Sequence, residues 1–312
     1  MKFFGHDETA ALTCLCPRLV PPRLVPMYKL HNILFPVEFS PRCEAAAGFV
    51  LSMAQRYHAR VVLFHALHVP PPLYAGMNRI YPENYDFAGA LEESRVDLQK
   101  FAEAQLPNAE VCCIAQSGDP AGTIADYAAK NAVDLIAMPT HGYGVFRSAL
   151  LGSVTAKVLH DSTLPVWTSA HAETSHCAQP KPRRILCALD MAPESLVTLE
   201  TALALTQDAD ASLELVHVPA ATVPADVAEH RLQDLLAKAA DHGHVAVRDI
   251  PRMTTQPEGE GGSVAEMIRN LGLRNMVDLV VIGRGAIQTN FGRLFANSYD
   301  IVRQAPCPVW SV

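Results

Sequence analysis

Two short glycine-containing stretches in the first half of the chain have the residue types of an anion-binding loop. Pro139-Thr140-His141-Gly142 is followed, after nine residues, by Gly152-Ser153-Val154-Thr155. A glycine lets the backbone come close to a phosphate, and Gly-Ser-x-Thr near the start of a helix offers N–H groups and two hydroxyls to an anion. The pattern therefore predicts phosphate binding, although a turn glycine at 142 and a helix-packing glycine at 152 would leave the same pattern.

The other candidate side chains form no recognised catalytic arrangement. Glu38 and Asp190 are lone carboxylates in separate halves of the chain, so paired acid–base catalysis has no support from their spacing. His65 and His217 occupy equivalent places in two predicted strands, which favours structural hydrogen bonding over catalysis. His141 lies in the candidate loop and is a candidate for contacting phosphate. No Gly-x-Ser-x-Gly motif of a serine hydrolase is present.

The amino-acid composition argues against several classes of protein. The chain is 49% hydrophobic and 18% charged, which is typical of a soluble globular protein, and its formal charge of −7 argues against a non-specific nucleic-acid binder. No run approaches the ~18 apolar residues of a membrane-spanning helix, and Asp7 and Glu8 interrupt any signal peptide, so we expect a cytoplasmic protein. Eight cysteines without C-x2-C pairs argue against a disulfide framework and a zinc site.

The chain contains an internal repeat. Ile33-Leu34-Phe35-Pro36-Val37-Glu38 matches Ile185-Leu186-Cys187-Ala188-Leu189-Asp190 at a shift of 152 residues. Pro165-Val166-Trp167 matches Pro308-Val309-Trp310 at a shift of 143, because the second copy has shorter loops. Two copies of one unit therefore account for most of the 312 residues.

Each copy is predicted to alternate buried strands with helices. Short runs rich in Val, Ile and Leu lack polar alternation, as expected for strands covered on both faces, and Ser40 with Pro41 marks the start of the first helix. The first copy has predicted strands at 33–37, 61–67, 110–115, 134–138 and 165–169, and its later predicted helices are at 90–105, 121–132 and 147–161. The second copy has predicted strands at 185–189, 212–218, 245–250, 277–282 and 308–312. This alternation predicts an α/β fold with two tandem doubly wound parallel sheets and flanking helices.

The repeat also sets the domain boundaries. We predict a first domain over 29–169 and a second over 184–312, joined by a polar, proline-containing linker at 170–183. An N-terminal extension over 1–28 fits neither copy, and its four prolines exclude a regular helix. Ligands of open α/β sheets bind beyond the carboxyl ends of the strands, where the strand order reverses, which points to 37–40 and to the loop after Met138.

Several motifs resemble the universal stress protein family in order and spacing. They are ILFPVEFS, LFHALHV, DLIAMPTHGYG, LLGSVTAKVL and LPVWTS in the first copy, and, more loosely, ILCALD, LELVHV, DLVVIGRG and CPVWSV in the second. The resemblance covers about 31–169 and 184–312. It implies a tandem member of that family, with two Rossmann-like domains of the adenine nucleotide alpha hydrolase type.

The resemblance implies that the first copy binds ATP, with Mg²⁺, or a related adenine nucleotide. In the family motif G-x2-G-x9-G-[ST], the position of the first glycine is occupied here by Pro139. Proline has no backbone N–H, so one donor of the motif is lost. Glu38 stands where the family usually has the aspartate that meets the ribose. The residues implied to bind nucleotide are Pro36, Val37, Ala66 and Met138 around adenine, Glu38, and Gly142, Gly152, Ser153, Val154 and Thr155 around the phosphates.

The second copy departs from the motif at the phosphate end. It keeps Asp190 and has Gly283 where the first copy has Pro139, but Phe295-Ala296 replaces Gly152-Ser153, with Asn297-Ser298 as a partial substitute. We therefore predict one nucleotide site, in the first copy, and a degenerate second copy.

Two functions remain open on the sequence alone. One is a stress-response regulator that binds an adenine nucleotide, with at most slow ATP hydrolysis, and the other is a nucleotide-free interaction or scaffold protein. An adenylating ligase is disfavoured because HIGH, KMSKS, SGGxDS and Walker A sequences are absent. The family implies that the last strands, which carry Trp167 and Trp310, pair the two domains, although each indole would equally fill its own core. A homodimer remains open, and no nucleic-acid or membrane partner is expected.

Overall fold

The computed structural model describes most of both copies. The described residues are 28–68, 86–140, 151–169, 181–190, 192–217, 225–242, 253–255, 263–284 and 293–312. The strands are β1 (Asn32–Pro36), β2 (Arg60–His68), β3 (Val111–Gly118), β4 (Leu135–Pro139), β5 (Val166–Ser169), β6 (Arg184–Leu189), β7 (Ser212–His217), β8 (Met253–Thr255), β9 (Leu279–Ile282) and β10 (Val309–Ser311). The helices are α1 (Pro41–Tyr57), α2 (Phe87–Gln105), α3 (Pro120–Lys130), α4 (Ser153–Asp161), α5 (Ser195–Ala209), α6 (Ala225–Asp241), α7 (Val264–Arg274) and α8 (Arg293–Gln304).

These strands form one continuous sheet in the order β3-β2-β1-β4-β5-β10-β9-β6-β7-β8. Each copy contributes five neighbouring strands that run parallel to one another. The copies meet where β5 and β10 pair antiparallel, with Trp167 opposite Trp310. The predicted α/β fold with doubly wound parallel sheets is confirmed.

Local sequence signals explain where the helices begin. Ser40 caps α1 by accepting a hydrogen bond from the N–H of Cys43, and Pro41 occupies the first helical turn. Asp119 caps α3 in the same way, directly before Pro120. Ser263 caps α7 through a capping box with its third helical residue.

Two hydrophobic clusters cover the two faces of the sheet. Along β1, Ile33 and Phe35 belong to the cluster under α1, α2, α5 and α6, whereas Leu34 belongs to the cluster under α3, α4, α7 and α8. All three side chains are fully buried. Strands buried on both faces therefore read as continuous apolar runs, as the sequence pattern indicated.

Aromatic side chains pack around the strands that join the copies. Trp167 stacks on Phe49 of α1, with ring centroids 4.0 Å apart, and Trp310 packs edge to face against Tyr28, which directly precedes the first copy, at 5.5 Å. The hydroxyl of Thr168 also donates to the backbone carbonyl of Val309 across the β5–β10 pair. The second copy thus packs against side chains of the first.

Some predicted segments differ from the structure or lie outside it. The helix predicted at 147–161 begins only at Ser153, because Gly152 adopts an extended conformation (ψ 141°) and serves as the N-cap. Residues 147–150, the strand predicted at 245–250, most of the extension at 1–28 and linker residues 170–180 lie outside the described residues. No helix of the described part of the chain is long and apolar enough to span a bilayer.

Candidate functional site

The strand order of the first copy reverses between β1 and β4. From β1 the chain proceeds outward to β2 and β3, whereas β4 lies on the other side of β1 and leads to β5. Because β1 and β4 are parallel, their carboxyl ends lie at the same edge of the sheet. Glu38, which follows β1, and α4, which follows β4, are therefore placed beside the crevice in which open α/β sheets bind ligands.

The N-terminus of α4 has the features of an anion site. Gly152 is the N-cap, with no capping side chain, and its own N–H donates to the carbonyl of Thr140 at 2.8 Å. The N–H groups of Ser153, Val154 and Thr155 have no acceptor within the helix, and the first turn contains no acidic residue. Ser153 is exposed and Val154 half-buried. This end of α4 can therefore donate several hydrogen bonds to a phosphate.

Thr155 faces the protein interior. Its side chain is buried, and its hydroxyl donates to the carbonyl of Pro139 at 3.0 Å, which ties the first turn of α4 to the end of β4. The second copy has the same contact, since the hydroxyl of Ser298 donates to the carbonyl of Gly283 at 3.3 Å. The hydroxyl of Thr155 thus has a structural partner that the sequence did not reveal.

The two candidate carboxylates are each bonded near the start of the next helix. Glu38 is half-buried and accepts a hydrogen bond from the hydroxyl of Ser40 at 3.1 Å. Asp190 is exposed and accepts from the hydroxyl of Ser195 and, at 3.0 Å, from the N–H of Ala192. Both carboxylates therefore stand at the predicted position after the first strand of their copy.

The predicted adenine-binding side chains do not all lie on one face of the sheet. Pro36 and Met138 are buried at the ends of β1 and β4, and Ala66 is half-buried in β2. Ala66 and Met138 pack with the cluster on the α4 face, whereas Val37 packs with the cluster on the opposite face. The structure thus brings Ala66 and Met138 to the face of α4 and separates Val37 from them. Gly142 and His141 lie outside the described residues.

The two strand histidines make the same structural contact. His65 donates through Nδ1 to the carbonyl of Val37, and His217 donates through Nδ1 to the carbonyl of Leu189, both at 2.8 Å. The bond from His65 links β2 to Val37, just after β1, and the bond from His217 links β7 to Leu189, the last residue of β6. This geometry supports a structural role for both side chains.

The sequence model described as the Universal stress protein family matches residues 29–169 and 181–312, which is most of the chain. The chain belongs to the universal stress protein family. A relative from Thermus aquaticus, named Universal stress protein in QAH/OAS sulfhydrylase 3'region, is 30% identical over 140 residues, which are 43% of this chain and 95% of the relative. The match to one copy at nearly full length agrees with a tandem universal stress protein.

Solved structures share the two-copy fold. A universal stress protein from Archaeoglobus fulgidus DSM 4304 superposes with a TM-score of 0.62 at 20% identity, over 92% of this chain and 97% of that one. A protein from Pseudomonas aeruginosa UCBPP-PA14 gives a TM-score of 0.58 at 14% identity, over 91% of this chain and 93% of that one. At these identities the likeness establishes the fold alone.

A packing contact constrains Gly283, the counterpart of Pro139 in the second copy. A Cβ added at Gly283 would lie 2.7 Å from the hydroxyl oxygen of Thr198 on α5, closer than real Cβ contacts. The residue of α1 that corresponds to Thr198 is Ala46, which lacks that hydroxyl. Position 46 therefore carries no hydroxyl that could oppose a side chain at 139 of this universal stress protein.

We expect Gly283→Ala to cost about 1–3 kcal/mol of unfolding free energy, because the new methyl overlaps the stiff, buried Thr198 side chain. In a Thr198→Ala background, which copies the arrangement of the first copy, the same change should cost at least about 1 kcal/mol less. Urea unfolding of the four proteins of this double-mutant cycle measures the coupling. Equal costs in both backgrounds would show that the overlap with Thr198 is not the reason for glycine.

The buried side chain of His217 should make the free energy of unfolding depend on pH. Burial lowers the pKa of His217, and the hydrogen bond to Leu189 and the charge of Asp190 only partly oppose it. The folded state therefore binds this proton less readily than the unfolded chain, whose histidines titrate near ~6.5, so this residue reduces stability as the pH falls through ~6.5 and below. Urea unfolding at about pH 8 and about pH 5 should show a smaller loss in His217→Gln than in wild type. An unchanged loss would rule out this residue as a source.

Proposed function

We propose that the first copy binds an adenine nucleotide, with ATP as the principal candidate, and that the protein acts as a nucleotide-responsive regulator in stress. The observation that carries this proposal is the start of α4 at Gly152, beside the reversal of strand order between β1 and β4. Membership of the universal stress protein family supports the same assignment. The proposal is for binding and includes no catalysed reaction; slow hydrolysis of bound ATP is the most activity that it allows.

The charge pattern at α4 favours a phosphate over other ligands. A helix N-terminus carries a partial positive charge, and here no acidic side chain of the first turn opposes it. The exposed Ser153 adds a hydroxyl beside the N–H groups of residues 153–155. Glycine as the N-cap leaves the approach to these donors clear of a side chain. The residues of α4 thus fit the phosphate end of ATP.

Magnesium enters this proposal bound to the nucleotide. In the part of the chain that the structure describes, no group of three or more His, Cys, Asp or Glu side chains could hold a metal ion. Proteins usually bind Mg²⁺ through one or two carboxylates together with substrate phosphates, so a preformed protein cage is unnecessary. Glu38, the carboxylate that follows β1 in the first copy, is the candidate contact for the ribose.

In the described residues of the second copy, the corresponding helix begins at a different position from α4, which supports a single site. The counterpart of Gly152 is position 295, and α8 begins at Arg293, so position 295 lies inside the helix and not at its N-cap. The residues of α8 that correspond to 153–155 of α4 are 296–298, which lie inside the helix. Their N–H groups bond to preceding carbonyls and are not free to bind a ligand. The second copy therefore offers a different helix end to a ligand.

Titration calorimetry with Mg-ATP on the full chain tests the proposal, together with native mass spectrometry of the purified protein. We expect binding at one site per chain. Absence of both binding and bound nucleotide would overturn the proposal in favour of a nucleotide-free interaction protein, for which the missing N–H at Pro139 would be the reason. A stoichiometry of two would show that the second copy also binds.

A further inference from the structure

Arg284 of the second copy makes its side-chain hydrogen bonds to the first copy. Nη1 donates to the carbonyls of Leu159 and Ser162 at 3.0 and 2.6 Å, and Nη2 donates to the carbonyl of Leu164 at 2.5 Å. These carbonyls lie in the last turn of α4 and just beyond it. The side chain is 8% exposed, and its burial lowers the pKa of Arg284 to about 10, so it remains a cation at neutral pH.

A second residue from the same copy contacts α4 nearer its middle. The hydroxyl of Tyr299, on α8, donates to the carbonyl of Ala156 at 2.8 Å. Helix C-termini leave carbonyls without intrahelical partners and carry a partial negative charge, so a guanidinium is a favourable partner there. The second copy therefore bonds to α4 at Ala156 and at the C-terminal end of the helix, whereas the N-terminus of α4 is the proposed phosphate site.

The arrangement is not symmetric between the copies. Thr140 is the counterpart of Arg284, and the backbones match, since Thr140 N–H donates to Ser169 O at 3.1 Å and Arg284 N–H donates to Val312 O at 3.0 Å. The hydroxyl of Thr140 also bonds to Ser169, within its own copy, at 3.0 Å. The side chain of Arg284 instead crosses to the other copy. Arg284, which follows Gly283 in the degenerate copy, thus contacts α4, the helix of the proposed site in the first copy.

We propose that Arg284 is a positioning residue that fixes α4 and thereby sets the nucleotide affinity of the first copy. This inference rests on the proposed function. A helix of nine residues is only about 13.5 Å long and behaves as a rigid rod, so holding the carbonyls at one end determines where the N–H groups at the other end point. The second copy, although degenerate as a nucleotide site, is then required for full affinity in the first.

Titration calorimetry with Mg-ATP on full-length Arg284→Gln, Arg284→Lys and Tyr57→Phe tests this inference. Tyr57→Phe is the matched control, because it removes a contact between the copies on the other face of the sheet, where the Tyr57 hydroxyl donates to Asp208 at 2.9 Å, far from α4. We expect the dissociation constant to rise about tenfold in Arg284→Gln, less in Arg284→Lys, which keeps the charge, and to stay unchanged in Tyr57→Phe.

Hydrogen exchange of the α4 amides in nucleotide-free protein provides a readout that a general loss of stability would not produce. Faster exchange confined to residues 156–161 in Arg284→Gln, and absent in Tyr57→Phe, would support the inference even if Arg284→Gln is less stable overall. Wild-type affinity in Arg284→Gln, or equal weakening in Tyr57→Phe, would overturn it while leaving the proposed function intact. Failure of the wild-type protein to bind Mg-ATP would instead overturn the proposed function, and unchanged α4 exchange would overturn the positioning role independently.

Discussion

Replacement of Gly152 by leucine is expected to abolish ATP binding to this universal stress protein. Gly152 is the N-cap of α4, and a leucine side chain there would occupy the approach to the N–H groups of residues 153–155. The backbone of Gly152 (φ −60°, ψ 141°) is accessible to any residue, so the loss should come from blocked access and not from backbone strain. The measurement is titration calorimetry with Mg-ATP, in which the wild type should bind one nucleotide per chain.

Two control variants separate the site effect from an effect on folding. Gly48→Leu makes the same change on the exposed side of α1, where nothing lies within 4 Å of an added Cβ, and should leave binding unchanged. Phe295→Leu alters the counterpart of Gly152 in the second copy and should also leave it unchanged. Leucine is a poor N-cap and costs Gly152→Leu roughly 1 kcal/mol of stability, so each variant is first shown to be folded by circular dichroism. Binding retained in folded Gly152→Leu would place the phosphate away from α4.

Trp310→Ala is expected to lower the free energy of unfolding by about 3–5 kcal/mol, because it removes a fully buried indole from the strand that joins the copies. Trp310 lies opposite Trp167 in the antiparallel β5–β10 pair and packs edge to face on Tyr28. Much of the lost contact is therefore with the first copy, and both copies should be destabilised together. Urea unfolding followed by circular dichroism and by the fluorescence of Trp167 measures this.

A conservative variant and a surface variant test whether the loss of stability in Trp310→Ala comes from the β5–β10 pair that joins the copies. Trp310→Phe keeps an aromatic ring and should cost clearly less than Trp310→Ala. Val197→Ala, at an exposed position on α5, should change stability by less than about 0.5 kcal/mol. A loss below about 1 kcal/mol for Trp310→Ala, or a loss confined to the second copy while Trp167 fluorescence reports an unchanged transition, would show that the copies are energetically independent.

Much of the fold was predictable because the two copies repeat the same local signals. Apolar runs without alternation marked strands that are covered on both faces, and the Ser40-Pro41 pair marked the start of α1. The start of α4 was predicted six residues too early, because no local signal in 147–152 distinguishes a helix from the extended residue that caps it. The conformation of Gly152 decides that boundary, and it depends on the bond from its N–H to Thr140.

For the candidate site, too, some features were predictable from the sequence and others were not. The general rule for open α/β sheets predicted that the stretch after β4 would lie at the edge of the sheet, and Gly152 and Ser153 stand at the start of α4, which follows that strand. That Thr155 bonds to Pro139, and that Val37 packs on the other face from Met138, depends on which way each side chain points at a strand or helix end. A motif specifies residue types and spacing, but not these directions.

By itself, the amino-acid sequence determined the class of fold, the two copies and the motif on which a nucleotide site is predicted, because hydrophobic periodicity, caps and repeat spacing are local properties of the chain. Only the tertiary structure decided that Arg284 of one copy bonds to α4 of the other and that Thr198 excludes a side chain at Gly283. Both contacts join residues more than 80 positions apart. They arise from how helices pack on the sheet and from the pairing of β5 with β10, which no local pattern encodes.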